Sequence, residues 1–266
     1  MAHPTTDLYI RIWGTGAPVV LIHGSTSADP GIVWSRQREL AARYQLLVPD
    51  RRGYGASPTV ERNDFEVDIR DTIALLGAGA HLVGLAYGGV IALLAAARRP
   101  DLVRSLTVIE PPAFAVARGH PAVERLIERM RPLYAPGRQL SPEAFILGFA
   151  RAHGEHPEEP IQLSPQHRKA IQATMGEPPP WEAAIPLDAL AAAGFPKLVL
   201  SGDWHPALEV VADILARRLG AQRAVISGAG QAVQRTGRPF NRRLEALIEA
   251  AADARPESNT MRYVTT

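Results

Sequence analysis

The chain contains no cysteine, an absence that removes a disulfide framework, a thiolate zinc site and a cysteine nucleophile together. Lysine is scarce: Lys169 and Lys197 are the two among 266 residues, and arginine supplies almost all the cations. With 29 basic and 27 acidic residues the formal net charge is +2, and the arginines are scattered among acids rather than gathered into a stripe. This reads as a solvated surface and argues against a nucleic-acid partner. No apolar run reaches the roughly 20 residues of a membrane span. The opening residues, Met1 to Asp7, lack a basic segment followed by an apolar one. A cytoplasmic chain without a membrane partner is the expectation. Internal repeats and low-complexity stretches are also missing.

What is present is ample apolar material, 46% of the chain, at a length near the upper limit of one hydrophobic core. Short apolar runs at 8–13, 19–22, 46–48, 81–85 and 105–109 read as strands. Helical patterns at 34–44, 64–76 and 88–99 fall among them. Such alternation predicts an α/β fold with a mostly parallel sheet flanked by helices. The alternation breaks at Pro111-Pro112. From 111 to 195 helices alone are expected, at 121–134, 141–154 and 164–175, the last two opening on Ser-Pro, an N-cap followed by a preset first turn. Strands at 197–201 and 224–226 and helices at 206–219 and 239–251 resume the pattern. The expected organisation is a core of 1–110 and 196–252, a helical cap at 111–195 and a polar tail at 253–266.

The run Val83-Gly84-Leu85-Ala86-Tyr87-Gly88-Gly89-Val90 passes from strand to helix with almost no loop. Glycines at 84 and 88 suit a turn so sharp that a Cβ at either place would strike neighbouring backbone. Four segments together resemble the α/β-hydrolase superfamily: His23-Gly24-Ser25, Pro49-Asp50-Arg51-Arg52-Gly53-Tyr54-Gly55-Ala56-Ser57, the run around Ala86, and Gly228-Ala229-Gly230-Gln231-Ala232. The resemblance covers nearly the whole chain outside the cap. It implies the α/β-hydrolase fold, with a serine nucleophile at the position of Ala86 and a catalytic histidine at that of Gln231. The family's acid follows one of two strands. In Gly202-Asp203-Trp204-His205 the commoner place holds histidine, and Glu110 fits the other.

An alanine methyl cannot attack a carbonyl carbon, and a glutamine amide does not shuttle protons near neutral pH. Loss of either group costs a serine hydrolase on the order of 10⁶ in turnover. The resemblance further implies an oxyanion hole formed by the backbone N–H groups of Ser25 and Tyr87, which a side-chain change at 86 leaves in place. Glu110, at a strand end under an apolar cap, is expected to have a raised pKa through desolvation. A carboxylate beside an oxyanion hole can remove a proton α to a carbonyl, which supports isomerisation, elimination, lyase chemistry or cyclisation without a covalent intermediate. The alternative is that Gln231 donates a hydrogen bond to Glu110 and the pair is inert.

Around this centre, His23, Trp34, Tyr134, Phe145, Phe149 and Trp181 are candidates to contact a largely apolar ligand. His205 is a candidate relocated base, oriented by Glu110 or Asp203. Asp50 is expected to hold the 51–57 loop by hydrogen bonds. No cofactor and no metal is expected, since His153 and His156 lack further ligands. A homodimer is left open. Three readings follow: a non-hydrolytic enzyme acting on a carbonyl compound, a serine hydrolase inactivated by Ser→Ala at 86, and a non-catalytic small-molecule receptor.

Overall fold

A computed structural model describes residues 6–59, 63–158 and 160–253. The expected tail beyond 253 and the first five residues lie outside it. Seven strands form one sheet in the order β1-β3-β2-β4-β5-β6-β7. They are β1 (Ile10–Trp13), β2 (Ala17–Ile22), β3 (Tyr44–Pro49), β4 (Ala80–Leu85), β5 (Val103–Ile109), β6 (Lys197–Ser201) and β7 (Gln222–Val225). Only β1 runs antiparallel, pairing Ile10 with Pro49 and Trp13 with Leu46 on β3. Helices cover both faces: α1 (Pro30–Val33), α2 (Phe65–Leu76), α3 (Tyr87–Arg98), α4 (Pro121–Met130), α5 (Pro142–Ala152), α6 (Pro165–Met175), α7 (Leu187–Ala192), α8 (Pro206–Leu219) and α9 (Arg238–Asp253). This is the predicted α/β architecture.

The central strands are apolar on both faces because both faces are covered. Along β2, Val20 and Ile22 enter one core with Leu82 of β4 and with Ile69, Val90 and Val211 of α2, α3 and α8. Val19 and Leu21 enter the other, with Val83 and with Phe240, Leu244 and Leu247 of α9. The two-residue period of the strand separates the two cores.

The strand order reverses direction beside β2, so the carboxyl ends of β2 and β4 open onto a crevice. In open α/β sheets ligands bind at such a switch point. Between β5 and β6 the described residues form helices and short 3₁₀ turns, and no strand. Ser141 and Ser164 cap α5 and α6 by accepting from Ala144 N and His167 N, each with proline as the first helical residue. Leu133, Phe145 and Ile171 give this helical insertion a small core of its own.

Two expected helices differ. The segment 34–44 is a 3₁₀ helix over Ser35–Ala42, after the short α1. Its buried residues are Gln37 and Leu40. They are three apart, the repeat of a 3₁₀ turn, so too few apolar positions exist to hold an α-helical face. The helix expected over 121–134 ends at Met130 and tightens into a 3₁₀ turn over Arg131–Tyr134, where Pro132 has no N–H to continue the ladder. Among the described residues no helix is long and apolar enough to cross a membrane.

Candidate active site

Residue 86 sits at the tip of a strained turn. Ala86 has φ 47° and ψ −120°, a sparsely populated conformation that costs an L-residue roughly 1–3 kcal/mol. Its N–H donates to Ile109 O at 2.8 Å, which ties the end of β4 to the end of β5. The flanking glycines behave as their spacing implies. A Cβ on Gly84 would lie 2.4 Å from Gly88 O, and one on Gly88 would lie 2.4 Å from His23 O. All these contacts are backbone and cannot swing away. Gly88→Ala is therefore expected to lower stability by about 3 kcal/mol, the top of the usual overpacking range. Thermal unfolding should shift down by roughly 10 °C; a midpoint within 2 °C of the parent would contradict this account.

Opposite the turn lies the loop after β2. A Cβ on Gly24 would come within 3.0 Å of the Ala86 methyl, so the two backbones are nearly in contact. Among the described residues no acceptor engages the N–H of Ser25 or of Tyr87. Tyr87 opens the twelve-residue α3, and the free N–H groups there carry the positive end of the helix dipole. The loop is held from below by His23. Its Nδ1 donates to Gly24 O at 2.8 Å and its Nε2 accepts from Arg51 N at 2.9 Å. Burial pushes its pKa down to about 3, aided by the nearby Arg51 charge, so the ring is neutral. Of the expected ligand contacts His23 is thus displaced: both nitrogens are spent on shaping the backbone.

From above, the same loop is held by a buried ionic cluster that sequence patterning did not reveal. Ser25 Oγ donates to Glu177 at 2.5 Å, and Tyr54 OH donates to Glu177 at 2.7 Å. Arg51 bridges Glu177 and Asp68, each at 2.8 Å. Burial pushes the Glu177 carboxyl up, and the Arg51 charge with the Ser25 and Tyr54 hydroxyls pulls it back. Glu177 follows α6 in Gly176-Glu177-Pro178, so the insertion is bolted to the loop carrying Ser25. Asp50 does what was expected of it, accepting from Ala56 N at 2.9 Å.

Glu110 follows β5 with φ 46°, a second strained residue at the crevice. Such strain persists only where surroundings over-determine it, and it concentrates at functional sites. Its Oε1 accepts from Gly202 N at 2.8 Å and its Oε2 from Trp204 Nε1 at 2.9 Å. Burial pushes its pKa up to about 7, with those two donors opposing the rise. The alternative Gln231–Glu110 bond does not form, and Gly202 N and Trp204 Nε1 are the donors on the carboxylate. Gln231 is exposed, and both its loop and Glu110 face the same cavity.

Two cavities meet at Ala86. The inner one is lined by Ser25, Ala86, Tyr87, Glu110, Tyr134 and Phe149 among others, and holds about 70 Å³. The outer cleft holds about 700 Å³ and is lined by Arg11, Asp29, His167, Lys169 and Arg235 beside Ala86 and Gln231. Tyr134 and Phe149, two of the expected ligand contacts, line the inner cavity. Trp34 and Phe145 do not: each is fully buried in packing on its own side of the molecule. Trp181 stands behind Tyr134, edge to face at 5.2 Å. His205 is excluded as a relocated base. It caps α8, its Nδ1 accepting from Ala207 N at 3.2 Å, and it borders neither cavity.

The alpha/beta hydrolase family profile matches residues 19–246. The chain belongs to the α/β-hydrolase family. It is 34% identical over 125 residues to a pimeloyl-[acyl-carrier protein] methyl ester esterase from Aliivibrio fischeri (strain MJ11), covering 46% of this chain and 48% of that one. It is 35% identical over 147 residues to the putative carbamate hydrolase RutD of Azorhizobium caulinodans, covering 53% and 52%. The alignments therefore span about half the length of the curated relatives. Among solved structures, a thermophilic esterase from Thermogutta terrifontis with malate bound superposes with TM-score 0.66 at 25% identity, over 92% of this chain and 93% of that one.

The strained turn at 86, Ser25, Tyr87 and the Glu110 carboxyl line one cavity, in which residue 86 offers a methyl and residue 231 an amide. One titratable group on the inner cavity was weighed in the sequence only as a metal ligand. His153, at the end of α5, lines the inner cavity together with Glu110.

Proposed function

We propose that this chain binds a carbonyl-bearing small molecule over Ala86 and transfers its protons without forming an acyl-enzyme. The carbonyl oxygen is held by the N–H groups of Ser25 and Tyr87, and Glu110 removes a proton from the adjacent carbon. One observation carries the reading. A single small cavity brings together two unengaged N–H groups and a buried carboxylate with a pKa near 7, around a residue with no nucleophilic atom. Preorganised donors aimed at a developing enolate oxygen stabilise it far more than water does. A carboxylate titrating near the working pH is suited to both halves of a proton transfer. The reactions open to it are isomerisation, elimination, lyase chemistry and cyclisation.

The cavity sizes refine the ligand. About 70 Å³ admits a small apolar end, and the 700 Å³ cleft with its charged walls takes a polar body. The polar body is added to the largely apolar ligand expected from the composition of the insertion. The malate reported with the Thermogutta esterase is of the same small, polar class.

The test is α-proton exchange. Small ketones, keto acids and thioesters incubated with the protein in D₂O should gain deuterium at the α-carbon, and Glu110→Gln should abolish the gain. Intact-mass measurement after exposure to p-nitrophenyl acetate should show no acyl adduct. An adduct, or exchange indifferent to residue 110, would defeat the reading. A second reading, a hydrolase inactivated at 86, is favoured by the intact turn and by the hydrolase names of the relatives. It requires that A86S combined with Q231H restore ester hydrolysis.

A further inference from the structure

Gln231 has no basic atom, yet a basic nitrogen does border the same space. His153 shares the inner cavity with Ala86, Glu110 and Gln231, and shares an adjoining one of about 220 Å³ with Gln231 and Thr26. Its Nδ1 lies 2.8 Å from Phe149 O. A carbonyl oxygen only accepts, so Nδ1 carries the proton and Nε2 presents a lone pair. Among the described residues nothing hydrogen-bonds to Nε2. The ring is fixed in position by stacking. Phe149 lies 4.5 Å away, and the Trp204 ring stacks at 5.9 Å and 20°. Trp204 is also the residue that donates to Glu110. One indole thus holds the carboxylate by its N–H and the imidazole by its face.

We propose that His153 is a second proton-transfer residue of this site, its Nε2 accepting a proton from a group held over residue 86. The proposal rests on the reading that ligands occupy the space over residue 86. Burial pushes the His153 pKa down, with Phe149 O and Glu155 opposing, so the neutral, accepting form is populated at pH 7. The other charged or titratable neighbours are His205 at 5.8 Å and, across Trp204, Glu110. Glu110 is shifted the opposite way. An acid held partly protonated and a histidine held neutral are the two halves of an acid–base pair. Isomerisation and elimination need both, one to take a proton and one to deliver it.

A hydroxyl placed at residue 86 reports on this nitrogen directly. In A86S the introduced oxygen attacks the carbonyl of p-nitrophenyl acetate and His153 Nε2 takes its proton. Nitrophenolate leaves as the acyl ester forms, and Nε2 then releases that proton to solvent. Water then attacks that ester, giving its proton to Nε2, which passes it to the oxygen at residue 86 as acetic acid departs and ionises in solvent. General-base assistance contributes about 10²–10⁴, so A86S should hydrolyse the ester at least about 100-fold faster than the parent. The pair A86S and H153Q should fall back to the parent rate. An A86S protein no faster than the parent, or a double variant as fast as A86S, overturns the proposal. Should the double variant fail to fold, imidazole nitrogen shifts of the parent at pH 7 decide: neutral with hydrogen on Nδ1 sustains the proposal, and hydrogen on Nε2 overturns it. A negative result with Glu110→Gln in proton exchange would leave this experiment's outcome unaffected, so the two readings fail separately.

Discussion

Glu110→Gln is expected to slow α-proton exchange about 10²–10⁴-fold, the range supplied by a positioned general base. The amide is nearly isosteric, so Ser25 N–H and Tyr87 N–H keep their places and ligand affinity changes little. The loss should fall on the rate constant. In the parent the ionised carboxylate is the active base, so the rate should rise with pH and level off above about 7, where burial has moved this group. The same shift has a sign for stability. The folded-state pKa lies above the unfolded one, so the contribution is fully present below about 4.5 and is lost as pH rises through about 7. That interval corresponds to at most about 3 kcal/mol. Parent stability should therefore decline between pH 5 and 8, while Glu110→Gln stays flatter. Parallel stability profiles for the two proteins would mean that residue 110 is not shifted, and the base assignment would fall with it.

Arg51→Met should produce the largest loss of stability. The guanidinium is 3% exposed and faces Asp68 and Glu177, whose side chains are 5% and 0% exposed. Its removal leaves two buried carboxylates with no cation between them. Breaking a buried pair costs about 3–5 kcal/mol, because the surviving charge stays desolvated. Here two survive, which places the expectation at the upper end, a fall in unfolding temperature of more than 10 °C. Arg51 also stacks over the Tyr54 and Tyr87 rings, at 5.2 Å and 5.0 Å, so packing is lost with the charge. Part of the loss should be recovered at pH 5, where the Glu177 carboxyl, pushed up by burial, more readily takes a proton. Glu177→Gln is the milder contrast. Its amide oxygen still accepts from Ser25 or Tyr54, and Arg51 keeps Asp68. A drop below 1 kcal/mol for Arg51→Met, measured by denaturant unfolding, would show that the cluster is a passenger.

These two variants separate the site's chemistry from its scaffold. Glu110 borders the cavity and touches no ion pair of the Arg51 cluster. Arg51 and Glu177 border neither the inner cavity nor the outer cleft, yet they fix the loop whose N–H would hold the carbonyl. Loosening that loop by a fraction of an ångström is enough to weaken a preorganised donor. Arg51→Met should accordingly impair exchange even at temperatures where it remains folded.

The backbone of the site was legible in the chain because it rests on local sterics. Gly84 and Gly88 are demanded by atoms within a few residues of a strand–helix junction and by the neighbouring loop at 23, and no other residue type fits. The strand runs, the Ser-Pro helix starts and the absence of a nucleophile at 86 are likewise properties of short windows. Ligand contacts were less legible. Trp34 and Phe145 are as aromatic as Tyr134 and Phe149, and apolarity alone does not say whether a ring faces a cavity or a neighbouring helix.

The amino-acid order alone determined the alternation of strands and helices and the glycine-flanked junction at 86, which follow from short-range periodicity and sterics, while the hydrolase scaffold and the role of residue 110 were implied by the family resemblance. Only tertiary structure decided the rest. It joined Ser25 to Glu177 across 152 residues. It turned His205 into a helix cap, brought His153 onto the cavity, and narrowed the inner chamber to about 70 Å³. Those outcomes depend on how the helical insertion packs against the carboxyl ends of the strands. That packing is set by summed burial and desolvation over many distant contacts, for which no short stretch of sequence carries a periodic sign.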